Sequence, residues 1–138
     1  MNAERFLDTN VLVYAAAGRL GEEAKQKRAL EVLNEPGIGV SAQVLQEFFV
    51  TVTRKIAEPL PAATALEWID LISTFPTLPV DASLVKRAIW ISERYRISYW
   101  DGAVVGAAEA LGASVLYSDD LSHGQHYGSV EVLNPFAS

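Results

Sequence analysis

The chain has 138 residues, half of them apolar, which is enough for one domain with a substantial core. Seventeen acidic against eleven basic residues give a formal net charge of -6, so the molecule as a whole repels nucleic acid at long range. The absence of cysteine excludes disulfides, iron–sulfur clusters and a thiol nucleophile. No apolar run is long enough to span a bilayer. We therefore expect a single domain over residues 1–138, located in the cytoplasm and without membrane association.

Short strands alternate with helices along the chain. The pattern first predicts a strand at 5–7, helices at 10–17 and 22–34, a strand at 38–40 and a helix capped by Ser41 that reaches Val52. It then predicts a helix at 62–75, a strand at 77–80, a helix from Asp81 to about Tyr95 and a helix from Ser98 to Gly112. A strand at 115–117 and an edge strand at 130–133 complete the chain. Such alternation predicts an α/β fold with a parallel sheet covered by helices on both faces. In these folds, ligands bind beyond the carboxyl ends of the strands.

Two acids lie where a predicted strand ends or a predicted helix starts. Asp8 follows the first strand and, taken alone, is best explained as a helix N-cap. Asp101 begins an inward-facing helical stripe, where a carboxylate needs a partner or a metal ion. However, Ser98 and Asp101 also have the spacing of a capping box, and the two interpretations of Asp101 are evenly balanced.

Three further acids, Glu47, Asp119 and Asp120, are interpreted differently alone and together with the first two. Taken alone, Glu47 is interpreted as a solvated helix residue, and the pair Asp119 and Asp120 as part of a turn. Together with the other two acids, they are predicted to gather near one edge of the sheet, where their charges require a compensating cation. Oxygen ligands of this kind suit Mg²⁺ or Mn²⁺. His123 and His126 lack the further ligands of a zinc motif and are interpreted as loop residues.

Four segments carry a family resemblance. In this order and spacing, "FLDTNVLVYA", "SAQVLQEFFVTVTRK", "ISYWDGAVVGAAEALGA" and "VLYSDDLSHGQ" resemble the PIN-domain family and, within it, the VapC-type toxins of bacterial toxin–antitoxin pairs. The resemblance spans nearly the whole chain. It implies a three-layer α/β/α domain with a central, mostly parallel sheet, and a metal-dependent endoribonuclease that hydrolyses RNA phosphodiester bonds. It also implies three partners, namely an RNA substrate, a cognate antitoxin and a second copy of the chain in a homodimer.

The resemblance also assigns roles to individual residues. The first three acids of the family fall on Asp8, Glu47 and Asp101, of which Asp8 and Asp101 would bind Mg²⁺ directly, with Mn²⁺ able to substitute. The family's fourth acid follows a Ser or Thr and one variable residue, which makes Asp120 the first choice and Asp119 the alternative. Polar residues beside the acids complete the pattern: Asn10, Ser41 and Ser118.

Two other functions compete with the ribonuclease. A phosphohydrolase that acts on small molecules would use a similar acidic Mg²⁺ site. A scaffold that binds RNA or protein without a metal ion would use the acids merely as helix caps. Removal of Asp8 distinguishes these interpretations, because loss of a cap lowers stability whereas loss of a carboxylate from a repelling cluster raises it.

Overall fold

A computed structural model describes residues 1–18 and 22–137 of the chain. Its centre is a six-stranded sheet with the strand order β3-β2-β1-β4-β6-β5. Strands β5 and β6 are antiparallel, and the other neighbouring strands pair in parallel. The strands are β1 (Arg5–Leu7), β2 (Ile38–Ser41), β3 (Thr77–Leu78), β4 (Val115–Tyr117), β5 (His126–Tyr127) and β6 (Val130–Leu133).

Helices pack on this sheet and on one another, and the predicted three-layer α/β/α architecture is confirmed. The helices are α1 (Thr9–Ala17), α2 (Glu23–Leu33), α3 (Ala42–Val50), α4 (Ala62–Ile72), α5 (Ala82–Tyr95) and α6 (Tyr99–Ala110). One π-helical turn, Thr51–Lys55, continues α3. Within the described ranges, no helix combines the length and the apolar character that crossing a membrane requires.

The first strand, β1, lies inside the sheet, and its last two residues place apolar side chains on opposite faces. Phe6 and Leu7 are fully buried, and Leu116 of the neighbouring strand β4 is equally buried. Continuous apolar runs of this kind are typical of parallel strands that helices cover on both sides. Since β1 ends at Leu7, the next residue, Asp8, emerges at the carboxyl edge of the sheet.

Side-chain caps start four of the helices. The predicted caps Ser41, Asp81 and Ser98 are confirmed, and Asp8 caps α1. Each side-chain oxygen accepts a hydrogen bond from a backbone N–H that the first helical turn leaves without a partner. The donors are the backbone nitrogens of Thr9 at 2.8 Å from Asp8, Val44 at 3.2 Å from Ser41, Leu84 at 2.9 Å from Asp81 and Asp101 at 3.0 Å from Ser98.

The prediction that the last strand lies at an edge was wrong. Strand β5 pairs with β6 on its outer side, so β6 lies between β4 and β5. The interpretation of His126 as a loop residue was also wrong, because His126 begins β5. A two-residue strand is too short to show the alternation by which strands are recognised. Gly124 and Gly128, with φ of +82° and +60°, provide the turns on either side.

Several predicted elements differ in length from the observed ones. The helix that was predicted to reach Val52 leaves the α-helical pattern after Val50, where the π-helical turn begins. The helix predicted at 62–75 ends at Ile72, and residues 73–75 form turns that lead into Pro76. Proline disfavours the helical conformation in the residue before it, which explains why the chain leaves the helix ahead of Pro76. The strand predicted at 77–80 is shortened to two residues.

Candidate active site

The fold brings acids from several elements to one groove at the carboxyl edge of the sheet. The groove has a volume of about 790 Å³. We call it the acid groove, and its wall includes Thr9, Asn10, Glu47, Trp100, Asp119 and Asp120. Asp8 and Asp101 are each adjacent in sequence to one of these residues. Asp8 and Asp101 do not line the groove themselves, but the charges of Asp120 and Glu47 act on both of them. The structure thus brings together acids from the β1–α1 junction, α3, α6 and the segment after β4.

Asp8 is the most deeply buried of the acids, with 5% of its surface exposed. Its Oδ1 accepts a hydrogen bond from the backbone N–H of Thr9 at 2.8 Å, and its Oδ2 accepts one from the Ser118 hydroxyl at 2.8 Å. Burial nevertheless raises the pKa of Asp8, and together with the charges of Asp120 and Glu47 it brings this pKa from 3.8 to about 6. The ionised form of Asp8 is thus unfavourable in the protein alone, and a bound cation would stabilise it.

Glu47 is oriented by two hydrogen bonds, so the interpretation of this residue as simply solvated was wrong. The hydroxyl of Thr9 donates to Oε2 at 2.9 Å, and Nε2 of Gln43 donates to Oε1 at 2.9 Å. Gln43 is 5% exposed, and its Nε2 also lies 3.3 Å from the carbonyl oxygen of Trp100. One buried amide therefore connects the Glu47 carboxylate on α3 to the start of α6.

Sequence reasoning did not single out Gln43. The sequence clue to its contact with Glu47 was the spacing of four residues on a predicted helix, because side chains at this spacing lie next to each other. Glutamine is common on exposed helix faces, so the spacing alone gave no reason to expect a buried amide. The structure shows that this amide contacts both an acid of the groove and the backbone of a neighbouring helix.

Asp101 lies in the first turn of α6 and is half-buried. Burial raises its pKa, the charges of Asp120 and Glu47 raise it further, and a hydrogen bond with Ser98 opposes these effects. Its backbone N–H donates to the Ser98 hydroxyl at 3.0 Å, as helix capping requires. The capping geometry and the electrostatic coupling to other acids are therefore both present, and the balanced interpretations of Asp101 do not exclude each other.

Asp119 and Asp120 have different surroundings. The charge of Asp120 raises the pKa of Asp8 and that of Asp101, whereas the pKa of Asp119 is raised mainly by burial and lowered by Lys25. The hydroxyl of Ser118 accepts a hydrogen bond from the backbone N–H of Asp120 at 3.1 Å. Asp120 is therefore the member of the pair that interacts electrostatically with both Asp8 and Asp101, which supports its choice as the fourth acid.

The three polar residues that were predicted beside the acids make different hydrogen bonds. The buried Ser118 joins Asp8 to the Asp120 backbone, as described above. Asn10 lines the acid groove, and its Oδ1 accepts a hydrogen bond from the Asp119 N–H at 3.4 Å. Its buried Nδ2 has no hydrogen-bond partner within the described part of the chain. Ser41 is also buried, but its hydroxyl caps α3.

The carboxylates at the acid groove are possible ligands for a divalent cation. Among residues 1–18 and 22–137, no three acidic or histidine side chains form a ready-made cage for a metal ion. Mg²⁺ needs no such cage, because it keeps several waters and is commonly held by one or two carboxylates with substrate phosphate. The carboxylates of Asp8 and Asp101, whose pKa values the charges of Asp120 and Glu47 raise, are ligands of that type. The residues present therefore fit Mg²⁺ or Mn²⁺.

The two histidines make other contacts. Nδ1 of His123 accepts a hydrogen bond from the backbone N–H of Asn134 at 2.8 Å, and Nε2 of His126 lies 3.7 Å from Glu131. Neither histidine lines the acid groove. These contacts are consistent with the expectation that the histidines are not zinc ligands, and they leave an oxygen donor set at the acid groove.

Comparisons with known proteins point to one family and one fold. The model of a family described as the PIN domain matches residues 5–125. A toxin–antitoxin complex from Klebsiella pneumoniae contains a chain with a TM-score of 0.72 and 16% identity, covering 96% of this chain and 98% of that one. VapC20 of Mycobacterium tuberculosis, a toxin that cleaves the sarcin–ricin loop, has a TM-score of 0.65 and 19% identity, covering 83% and 88%.

A third similar structure is DNA-bound VapBC from Salmonella typhimurium, with a TM-score of 0.64 and 18% identity, covering 94% of this chain and 96% of that one. No curated protein matches the chain significantly. At these identities the solved structures establish similarity of fold, and they cover most of both chains in each case. The family match covers the β1–α1 junction, α3, α6 and the segment after β4, which are the parts that contribute the acids.

Proposed function

Because the chain belongs to the PIN-domain family, we propose that it is a metal-dependent endoribonuclease that hydrolyses RNA phosphodiester bonds, and that it is the VapC-type toxin of a toxin–antitoxin pair. The observation that carries this proposal is the electrostatic coupling of acids from separate elements at one groove. Asp120 and Glu47 raise the pKa values of both Asp8 and Asp101. Perturbed carboxylates in a groove are typical of functional sites, whereas acids that served merely as helix caps would not need to converge.

In this proposal, Asp8 and Asp101 hold Mg²⁺, or Mn²⁺ in its place, and Asp120 contributes further negative charge. When bound, the divalent ion would activate a water molecule and stabilise the charge that develops on the phosphate and the leaving oxygen. Ser118 fixes the Asp8 carboxylate through the hydrogen bond to Oδ2. The acids also repel a phosphate until a cation neutralises them, which makes RNA binding dependent on the metal ion.

Glu47 has a separate role in the proposed reaction. Both of its oxygens accept a hydrogen bond, from Thr9 and from Gln43, so the carboxylate is held in one orientation. Since Glu47 lines the acid groove, it is placed to accept a hydrogen bond from a water molecule bound there. We assign Glu47 the orientation of the attacking water and the acceptance of its proton.

The same charge distribution supports an antitoxin partner. Several of the similar structures are toxin–antitoxin complexes, including those from Klebsiella pneumoniae and Salmonella typhimurium. The net charge of -6 and the acid groove favour a segment with basic side chains, which would cover the acids and block access of RNA. We further propose that the chain forms a homodimer and acts in the cytoplasm, where such a partner would restrain it.

The direct test is incubation of the purified protein with total RNA in the presence of Mg²⁺ or Mn²⁺. We expect metal-dependent cleavage that leaves 5′-phosphate and 3′-hydroxyl ends and stops when a chelator is added. Turnover of a generic phosphoester without RNA cleavage would instead identify a small-molecule phosphohydrolase. Absence of divalent-ion binding in calorimetry would leave a metal-free scaffold and contradict the proposal.

A further inference from the structure

An exposed tryptophan lies beside the acids. Trp100 is 63% exposed, immediately precedes Asp101 and lines the acid groove together with Glu47 and Asp120. An indole ring buries a large apolar area when it packs in a core, and here most of that area faces solvent. Packing within this chain therefore does not account for a tryptophan at this position.

The structure holds this ring in place. The ring of Tyr99 contacts that of Trp100 edge-on, with centroids 5.0 Å apart and an interplanar angle of 86°. The backbone of Trp100 is tied to Gln43 through the 3.3 Å contact between Nε2 and the carbonyl oxygen. The same Nε2 holds the Glu47 carboxylate. The backbone of Trp100 and the carboxylate of Glu47 are thus held near each other by one buried side chain.

The wall of the groove also carries a cation. Thr51 and Lys55, at the two ends of the π-helical turn, line the acid groove. π-Helical turns are rare and frequently occur at functional sites. Lys55 provides a positive charge for an anionic backbone, and Trp100 provides an aromatic surface for a base. With the acids neutralised by a divalent ion, the acid groove, Lys55 and the exposed ring of Trp100 would together match a nucleotide whose phosphate lies at the acids.

We propose that Trp100 stacks on an unpaired RNA base adjacent to the cleaved phosphate and thereby contributes to the binding of RNA at this site. This inference rests on the proposed ribonuclease function and adds a substrate-binding residue to it. Proteins that read unpaired RNA commonly stack its bases on aromatic side chains. A base inside a duplex has both faces covered by its neighbours and cannot offer one to Trp100 without being unstacked.

The first test measures stacking without cleavage. The variant Trp68→Phe/Trp90→Phe leaves Trp100 as the sole tryptophan, and the matched variant Trp68→Phe/Trp100→Phe leaves Trp90, an exposed tryptophan on α5 that does not line the groove. A short single-stranded oligo(A) RNA is added with Ca²⁺ in place of Mg²⁺. We expect quenching of Trp100 fluorescence but not of Trp90 fluorescence. An equal response to a strand of abasic nucleotides would overturn the proposal.

The second test uses cleavage and needs no change at Trp68. Trp100→Ala should raise KM for single-stranded RNA about tenfold while changing kcat little, because stacking binds substrate and transition state alike. Trp100→Phe should restore most of the affinity, and Trp90→Ala should behave as the wild type.

The outcomes separate the two proposals. If the wild type cleaves RNA and Trp100→Ala has an unchanged KM, base stacking is refuted and the ribonuclease function stands. If the wild type cleaves no RNA under any metal condition, both proposals fail. A Trp100→Ala variant that changes the oligomeric state in sedimentation, with unaltered KM, would assign the ring to a contact between copies of the chain and overturn the stacking proposal.

Discussion

Glu35 and Asp8 are two shielded carboxylates of the same small molecule, but the charges that act on the first are those of cations, whereas the charges that act on the second are those of other acids. Glu35 lies 3.3 Å from Nε of Arg5 and 3.9 Å from Nη1 of Arg28, and it accepts a hydrogen bond from the Tyr117 hydroxyl at 2.8 Å. We call these four residues the Glu35 cluster. Within this cluster, the chain itself supplies the partners that a shielded carboxylate requires.

Asp8 lacks that internal compensation, because within the described part of the chain the charges that shift its pKa are those of other acids. Asp8 is hydrogen-bonded to Ser118, yet its pKa rises to about 6 because it is buried and because Asp120 and Glu47 carry the same charge. This difference indicates that the acid groove, unlike the Glu35 cluster, depends on a cation from outside the chain. The Glu35 cluster is complete as folded, whereas the acid groove becomes favourable in its ionised form when a cation binds.

Neutralisation of Asp8 is expected to have the largest effect on activity. Asp8→Asn should lower kcat/KM for RNA cleavage by about a thousandfold or more, since loss of a metal ligand removes several kcal/mol of transition-state stabilisation. The measurement is RNA cleavage at a fixed Mg²⁺ concentration. Asp70→Asn, which neutralises an exposed acid on α4, is the charge-matched control and should cleave RNA as the wild type does. Full activity of Asp8→Asn would refute the assigned role of Asp8.

The second prediction concerns the metal-free protein and its pH dependence. The pKa of Asp8 is about 6 in the folded state, above its ordinary value of 3.8, so the folded state retains a proton that the unfolded state releases. The contribution of Asp8 to stability is therefore fully present below about pH 4 and is lost as the pH rises through about 6. The loss amounts to about 3 kcal/mol, from roughly two pKa units at ~1.4 kcal/mol each.

Urea denaturation in the presence of a chelator measures this effect. Asp8→Asn cannot release the proton, and its amide oxygen can still accept the hydrogen bond from the Thr9 N–H. We therefore expect the variant to gain stability relative to the wild type as the pH rises from about 4 to about 7. A stability difference that is constant across this range would show that Asp8 is not destabilised by burial and neighbouring charge.

The same contrast explains how much of the molecule was predictable from sequence. The apolar strand β1 and the caps Ser41, Asp81 and Ser98 follow from local patterns, and the structure confirms them. Strand β5 was missed because two residues carry no periodic signal and their pairing with β6 is a tertiary contact. Local signals thus located the main elements but not the edge of the sheet.

The candidate site was predictable to a similar extent. The positions of the acids at strand ends and helix starts indicated a shared edge, and the family resemblance supplied their roles. The orientation of Glu47 was not predictable, because it depends on Thr9, which is 38 residues away in sequence, and on the burial of Gln43. Spacing alone does not show which polar side chains turn inward when helices from distant parts of the chain meet.

A smaller effect should distinguish Asp120 from Asp119. Asp120→Asn should lower kcat/KM for RNA about tenfold or more, because the charge of Asp120 acts on both Asp8 and Asp101. Asp119→Asn should have a much weaker effect, since the charges that influence Asp119 are those of Asp120 and Lys25. Parallel kinetics of the two variants provide the measurement. The reverse order of effects would make Asp119 the fourth acid.

The smallest expected effect lies in the Glu35 cluster and has the opposite sign to that of Asp8. Glu35→Gln removes the charge that pairs with Arg5 and Arg28, and it should lower the free energy of unfolding by about 1 kcal/mol at pH 7. Cleavage of RNA should not change. The control is Glu4→Gln, because Glu4 is largely exposed and contacts the same Arg5, so its loss should have almost no effect. If Glu35→Gln instead raised stability, the ionised carboxylate of Glu35 would be unfavourable in the folded protein, as that of Asp8 is. Charge compensation would then no longer distinguish a structural from a functional acid in this fold.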